Sequence, residues 1–137
     1  MNLLLEIITP VKTVYKDEIS EVVVPTVNGE ITILPNHINL LTQVNPGELI
    51  IKKSGTAQYL AITGGFLEVA DNKISILADY AVKAQDIQIA HATEAKKRAE
   101  KIMNEKATDN ELRVAQGELI KAILELKIAT KHRRRMS

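Results

Sequence analysis

Residues Val22–Leu41 read VVVPTVNGEITILPNHINLL, two apolar runs joined by Asn28-Gly29 and closed by a Leu-Pro-Asn-His corner. Asn and Gly both tolerate positive φ, which the two central residues of a type I′ turn need. The pair therefore predicts a hairpin of Ile19–Pro25 against Glu30–Leu34. Pro35 lacks an N–H for the ladder and ends the second strand. Asn36 suits a left-handed turn position, which puts His37 at the tip of a tight, exposed corner.

Working outward, short β-rich segments alternate with turn residues from the start of the chain to about Tyr80, the pattern of an antiparallel sandwich or barrel. Strands are predicted at Leu3–Ile8, Val11–Tyr15, Leu40–Val44, Glu48–Lys53, Tyr59–Thr63, Phe66–Val69 and Lys73–Leu77. Ser54-Gly55 is read as a turn. Leu49 and Ile51 point one way and Ile50 and Lys52 the other, while Ile74 and Ile76 face inward against Lys73 and Ser75. The opening MNLLLEIITP has no basic start or small-residue cleavage site, and Glu6 interrupts it, so it reads as a strand rather than a secretory signal. No apolar run approaches the roughly 18 residues of a membrane-spanning helix.

After Ala84 the composition turns to Ala, Glu, Lys, Arg and Leu, which marks a second domain over 85–137 behind a sandwich domain over 1–84. Asp86 is the expected N-cap of a first helix, with Ala92, Ala95, Ala99 and Ile102 on one face and Glu94 placed to pair with Arg98. That helix is expected to stop near Ala107. Thr108-Asp109-Asn110-Glu111 has the form of a capping box, so a second helix runs from there to about His132. Its stripe of Leu112, Ala115, Leu119, Ala122, Leu126 and Ala129 is narrow, as in a coiled-coil seam, and predicts an antiparallel helical hairpin. Ile120, Ile123, Leu124 and Ile128 fall partly outside the stripe and call for cover from the sandwich or from another protein.

The chemistry that composition excludes is extensive. Of 137 residues only 3% are aromatic and none is Trp, which disfavours recognition of bases or sugars by stacking. Eighteen basic residues against seventeen acidic ones leave a net charge of +1, no general attraction for nucleic acid or anionic lipid. Without cysteine there are no disulfides, thiolate metal sites or Cys nucleophiles. His37, His91 and His132 show no metal-ligand spacing, no Ser sits in a GxSxG elbow, and the carboxylates are scattered. Neither a metal site nor a catalytic site is expected. Gly64-Gly65 lacks the wider pattern of a phosphate loop and reads as a bulge or tight turn. The run Lys131-His132-Arg133-Arg134-Arg135 is either a solvated helix end that complements the helix dipole or a dock for an acidic surface.

GEITILPNHINLL, AITGGFLEVADNKISILADYA, DIQIAHATEAKKRAE and ELIKAILEL, in this order and over nearly the whole chain, resemble the ε subunit of rotary F-type ATP synthases. The resemblance implies a ten-stranded β-sandwich followed by a helical hairpin, and a non-catalytic subunit whose sandwich binds the foot of the γ shaft and the membrane ring of c subunits. It implies ring and shaft contacts at Glu30 and at Pro35, Asn36 and His37, where Asn36 replaces the Gly of many relatives. It also implies a regulatory hairpin that meets the α and β head through basic residues, here Lys121, Lys127, Lys131, Arg133, Arg134 and Arg135, and restrains ATP hydrolysis. Some such subunits bind ATP through an Ile/Leu-Asp-x-x-Arg-Ala motif; here the positions read Ile87-Gln88-Ile89-Ala90-His91-Ala92. Gln88 replaces the acid and His91 the Arg, so only His91 and Arg98 remain as nucleotide candidates, and weak ATP binding or none is expected. No cofactor is implied. The place implied is peripheral, on the cytoplasmic face of a bacterial membrane or its equivalent, through the complex alone, with a monomer when isolated. The rival reading is a free-standing sandwich module that dimerises through its hairpin.

Overall fold

The computed structural model describes residues 2–136. It consists of two compact units that meet between Lys83 and Ala84. The first is a ten-stranded β-sandwich and the second a pair of helices.

In the sandwich, β1 (Leu3–Ile8), β2 (Thr13–Ile19), β5 (Leu40–Val44), β8 (Gly65–Ala70) and β9 (Lys73–Ala78) form one layer, in the order β5-β8-β9-β1-β2. The other layer is β4 (Gly29–Ile33), β3 (Glu21–Thr26), β6 (Gly47–Lys53), β7 (Thr56–Ile62) and β10 (Ala81–Lys83), in the order β4-β3-β6-β7-β10. The layers join through the single pair Thr26↔Val44, where β3 leaves β6 for β5. Pro25 sits at this changeover, and the strand runs one residue beyond it instead of stopping there. Leu5, Ile7, Ile19, Val22, Val24, Leu49, Ile51, Leu60, Ile62, Leu67, Ile74 and Ile76 fill the space between the layers and are essentially sealed from solvent. Alternation in Glu48–Lys53 and Lys73–Leu77 assigned these inward faces correctly.

Four local features differ from the sequence reading. The pair β1–β9 is parallel, because the N-terminal strand slots between β2 and β9, a long-range event with no local signal. Val11–Tyr15 is not a strand in full: the Thr9 hydroxyl accepts the amides of Val11 and Lys12 at 3.3 and 3.2 Å, which curls residues 9–12 into a turn. The strand starts at Thr13 and continues through Lys16, Asp17 and Glu18, charges that suit a solvent-facing edge. The tenth strand, β10, is only three residues long and carries no periodicity to read.

The fourth concerns the Asn28-Gly29 turn. Its register is Thr26↔Gly29, so Val27 and Asn28 are the central residues and only Gly29, at φ 102°, is left-handed. Thr26 decides this: its buried hydroxyl donates to Gly29 O at 2.6 Å and accepts the Asn28 amide at 3.2 Å, which closes the turn from inside. The geometry expected there occurs instead at Ser54-Gly55 (φ 50° and 80°) and Asp71-Asn72 (φ 52° and 61°), both two-residue turns with paired positive φ.

In the second unit a 3₁₀ turn at Ala84–Asp86 absorbs the expected cap, and α1 (Ile89–Asn104) begins behind Gln88 without a side-chain cap. It ends three residues early, and its ion pair joins Lys101 to Glu105 at 4.0 Å rather than Glu94 to Arg98. The capping box is formed: the Glu111 amide donates to Thr108 Oγ1 at 3.1 Å and the Thr108 amide to Glu111 Oε1 at 3.4 Å. Behind it α2 runs over Asp109–Met136, past the expected end. Ala92 and Ala99 of α1 and Ala115, Ala122 and Ala129 of α2 are buried at seven-residue spacing, so the small residues form the seam of the hairpin. Ile128 is also buried, whereas Ile120 and Ile123 are exposed.

Candidate interaction surfaces

After β4 ends at Ile33, Pro35 fixes φ and Asn36 turns left-handed at φ 63°. The Asn36 amide is held at 2.8 Å by Asn72 Oδ1. His37 folds back, its Nδ1 donating to Ile38 O at 2.8 Å, and is half-buried rather than the exposed tip. Its exposed neighbours include two large apolar residues, Leu34 at 52% and Ile38 at 80%, beside exposed Asn36 and Asn39. The corner therefore presents apolar side chains on a tied backbone. Glu30 is exposed near the other end of β4, roughly 10 Å along the strand from Ile33, where the chain leaves β4 for the corner, at about 3.3 Å per residue.

A surface that the sequence reading missed lies on the outer face of the β5-β8-β9-β1-β2 layer. Registers Phe66↔Leu77 and Ile8↔Leu77 set three apolar side chains in one row across β8, β9 and β1, and Leu41 lies diagonal to Phe66. Phe66 and Leu77 are each 57% exposed and Leu41 70%. The next row is polar, with Glu6 between Lys73 at 3.7 Å and Lys16 at 3.8 Å. The signal was present: Phe66 is out of phase with inward Leu67 and Val69, and Leu77 with inward Ile74 and Ile76. The row lies at the Gly65 end of β8 and the Pro35-Asn36-His37 corner at the Asn72 end, so the two surfaces occupy opposite ends of the layer.

In α2, helical geometry aligns Ile120, Ile123, Lys127, Lys131 and Arg134 at steps of three and four on one face, while Lys121, Arg133 and Arg135 point elsewhere. Half of the basic set thus shares a stripe with two exposed isoleucines. His91 is exposed in the first turn of α1. Arg98 lies two turns on, beside a shallow cleft of about 360 Å³ with Ile102, Asn110, Glu111, Val114 and Glu118, and His91 does not line it. Glu111 and Glu118 line the same cleft as Arg98. Among the described residues no three His, Cys, Asp or Glu side chains gather closely enough to hold a metal ion.

Residues 2–84 match the family model of the ATP synthase delta/epsilon chain β-sandwich domain. The chain is 42% identical over 135 residues to an ATP synthase epsilon chain of Dehalococcoides mccartyi, covering 97% of this chain and 96% of that one. It belongs to the ATP synthase epsilon family. An epsilon chain of Herpetosiphon aurantiacus is 38% identical over 135 residues, covering 98% and 99% of the two chains. The fold extends to more distant structures. A chain of the Euglena gracilis mitochondrial ATP synthase OSCP/F1/c-ring structure superposes with a TM-score of 0.73 at 22% identity, over 96% of this chain and 82% of that one. One from the Tetrahymena thermophila central stalk/c-ring structure does so at 0.63 and 18%, over 92% and 95%. In this epsilon-family chain, then, the apolar row and the tied corner sit on a fold shared with both of those chains.

Proposed function

We propose that this chain is a non-catalytic rotor subunit that couples proton-driven rotation of a c ring and γ shaft to ATP synthesis, and that its hairpin restrains ATP hydrolysis. The observation that carries the reading is the Ile8–Phe66–Leu77 row with Leu41: a contiguous apolar strip on the outside of a sandwich whose own core is complete without it. Such a strip is suited to a protein partner, here the shaft. The corner of Pro35, Asn36 and His37, with Leu34 and Ile38 beside it, is the proposed ring contact, and Glu30 a separate peripheral one. The α2 stripe of Lys127, Lys131 and Arg134 is the proposed contact for an acidic segment of the α and β head, with Lys121, Arg133 and Arg135 secondary. No described helix is long and apolar enough to cross a membrane. The proposed attachment is through the complex, on the cytoplasmic or equivalent face. The two glutamates that share a cleft with Arg98, and the absence of His91 from that cleft's lining, support weak ATP binding or none.

Every residue of the sandwich core lies at or before Ala81, so a chain ending at Lys83 retains a complete core. ATP hydrolysis by catalytic heads stripped of this subunit separates the roles. The full chain should bind and inhibit; the chain ending at Lys83 should bind the shaft without inhibiting. If both bind and neither inhibits, the hairpin is no brake. If neither binds, and the isolated chain instead sediments as a dimer, the dimerising-module reading replaces this one.

A further inference from the structure

Asn72 does more than close a turn. It is the second residue of the Asp71-Asn72 turn between β8 and β9, and three of its polar groups reach outside that turn. Its backbone carbonyl accepts the Leu4 amide at 3.3 Å, Nδ2 donates to Asn2 O at 2.9 Å, and Oδ1 accepts the Asn36 amide at 2.8 Å. The turn itself needs only a residue that tolerates positive φ, and glycine meets that need without steric cost. The side-chain amide is surplus to the hairpin. What it does is join three segments distant in sequence: the N-terminal strand, the β8–β9 turn and the corner after β4.

At the corner the consequence is specific. Asn36 is a non-glycine residue at φ 63°, a conformation that must be held by its surroundings. Pro35 stiffens one side; on the other, Ile38 is 80% exposed and packs against little. The bond to Asn72 Oδ1 is therefore the tie between this corner and the sheet. A loop already held in its bound shape loses less conformational freedom on docking than a loose one.

We propose that Asn72 is a positioning residue for the corner: it holds Asn36 left-handed so that Leu34 and Ile38 face a partner on a fixed frame. That the partner is the membrane ring rests on the function proposed above. Three full-length variants separate the clamp from its use. Asn72→Gly keeps the turn and removes the side chain, Asn72→Asp keeps the acceptor for Asn36 and removes the donor to Asn2, and Asn72→Ala removes the side chain and strains the turn as well. Amide exchange at Asn36, read by NMR on the isolated chain, reports the clamp directly. Asn72→Gly should speed it about five- to tenfold, the range that loss of one hydrogen bond allows, while core amides such as Leu67 keep their rates. Asn72→Asp should stay near the parent rate. Unchanged exchange at Asn36 in Asn72→Gly would overturn the clamp.

Affinity for detergent-solubilised c ring, measured by biolayer interferometry, then tests the use. Asn72→Gly should bind about fivefold more weakly and Asn72→Asp near normally, with shaft binding unaffected in both. Faster exchange with unchanged ring affinity would overturn the positioning role. If the parent chain itself does not bind the ring, the ring reading fails and the positioning role with it, whatever the exchange rates. If Asn72→Ala fails to fold while Asn72→Gly behaves as expected, that result supports the division between turn and side chain.

Discussion

Gly65 is held to glycine by both its surroundings and its backbone. A Cβ on it would lie 1.9 Å from the Leu77 carbonyl oxygen, and its φ of 135° suits no L side chain. Gly65→Ala should therefore cost about 3 kcal/mol or more, read as a lower denaturant midpoint at unchanged slope. Asp17 and Lys53 act where the sandwich is open, joining β2 to β6 by an ion pair across the layers. The hydrogen bond from Lys53, then the Glu18 amide, hold the Asp17 carboxyl below its ordinary value, and Asp17 likewise raises Lys53. A lowered carboxyl contributes stability that is complete above its unfolded value and is lost as pH falls through the folded one. A raised lysine contributes below its unfolded value and loses that contribution as pH rises through the folded one. Asp17→Asn should thus flatten both limbs, most clearly below about pH 4, in thermal melts across pH.

At the scale of elements, α2 owes its start to a box of two residues and its burial to alanines. Thr108→Ala should lower hairpin stability by about 1 kcal/mol, seen as faster exchange of the first-turn amides of α2, and Thr108→Ser should restore it. The strands illustrate how far local signals reach. Val22–Leu41 predicted a hairpin and a stop at Pro35, and both occur, because the apolar runs and the missing proline N–H act within a few residues. The turn between them took a different form because Thr26, buried by the other layer, supplied hydrogen bonds from outside the Asn-Gly pair. Asp86 lost its place as a cap for a related reason: the chain leaving β10 turns once as a 3₁₀ helix before α1 can start.

For the whole molecule, the two surfaces at opposite ends of one layer make separable predictions. Phe66→Asp or Leu77→Asp should reduce shaft binding by about a hundredfold, since a charge would be desolvated in the contact, while circular dichroism stays unchanged because both side chains are already more than half exposed. Normal binding by Phe66→Asp, measured by surface plasmon resonance against the shaft, would remove the row from the proposed interface. Of the candidate residues, the corner was legible because Pro and Asn state backbone conformations directly. The apolar row was legible only in part: Phe66 and Leu77 break the alternation of their own strands, but their union with Ile8 depends on β1 lying parallel to β9.

The sequence by itself determined the class of each unit, the two-part division of architecture, the faces of Glu48–Lys53 and Lys73–Leu77, the alanine seam and the capping box, and its resemblance pointed to the family. These are properties of hydrophobic period, proline and glycine geometry, and hydrogen bonds between residues three or four apart. Only the tertiary structure decided the parallel insertion of β1, the form of the turn at Asn28-Gly29, the half-buried fold of His37, the apolar row and the reach of Asn72 across 36 residues to Asn36. Each of these depends on groups brought together by burial of a shared core, and no local pattern records which distant strand becomes a neighbour.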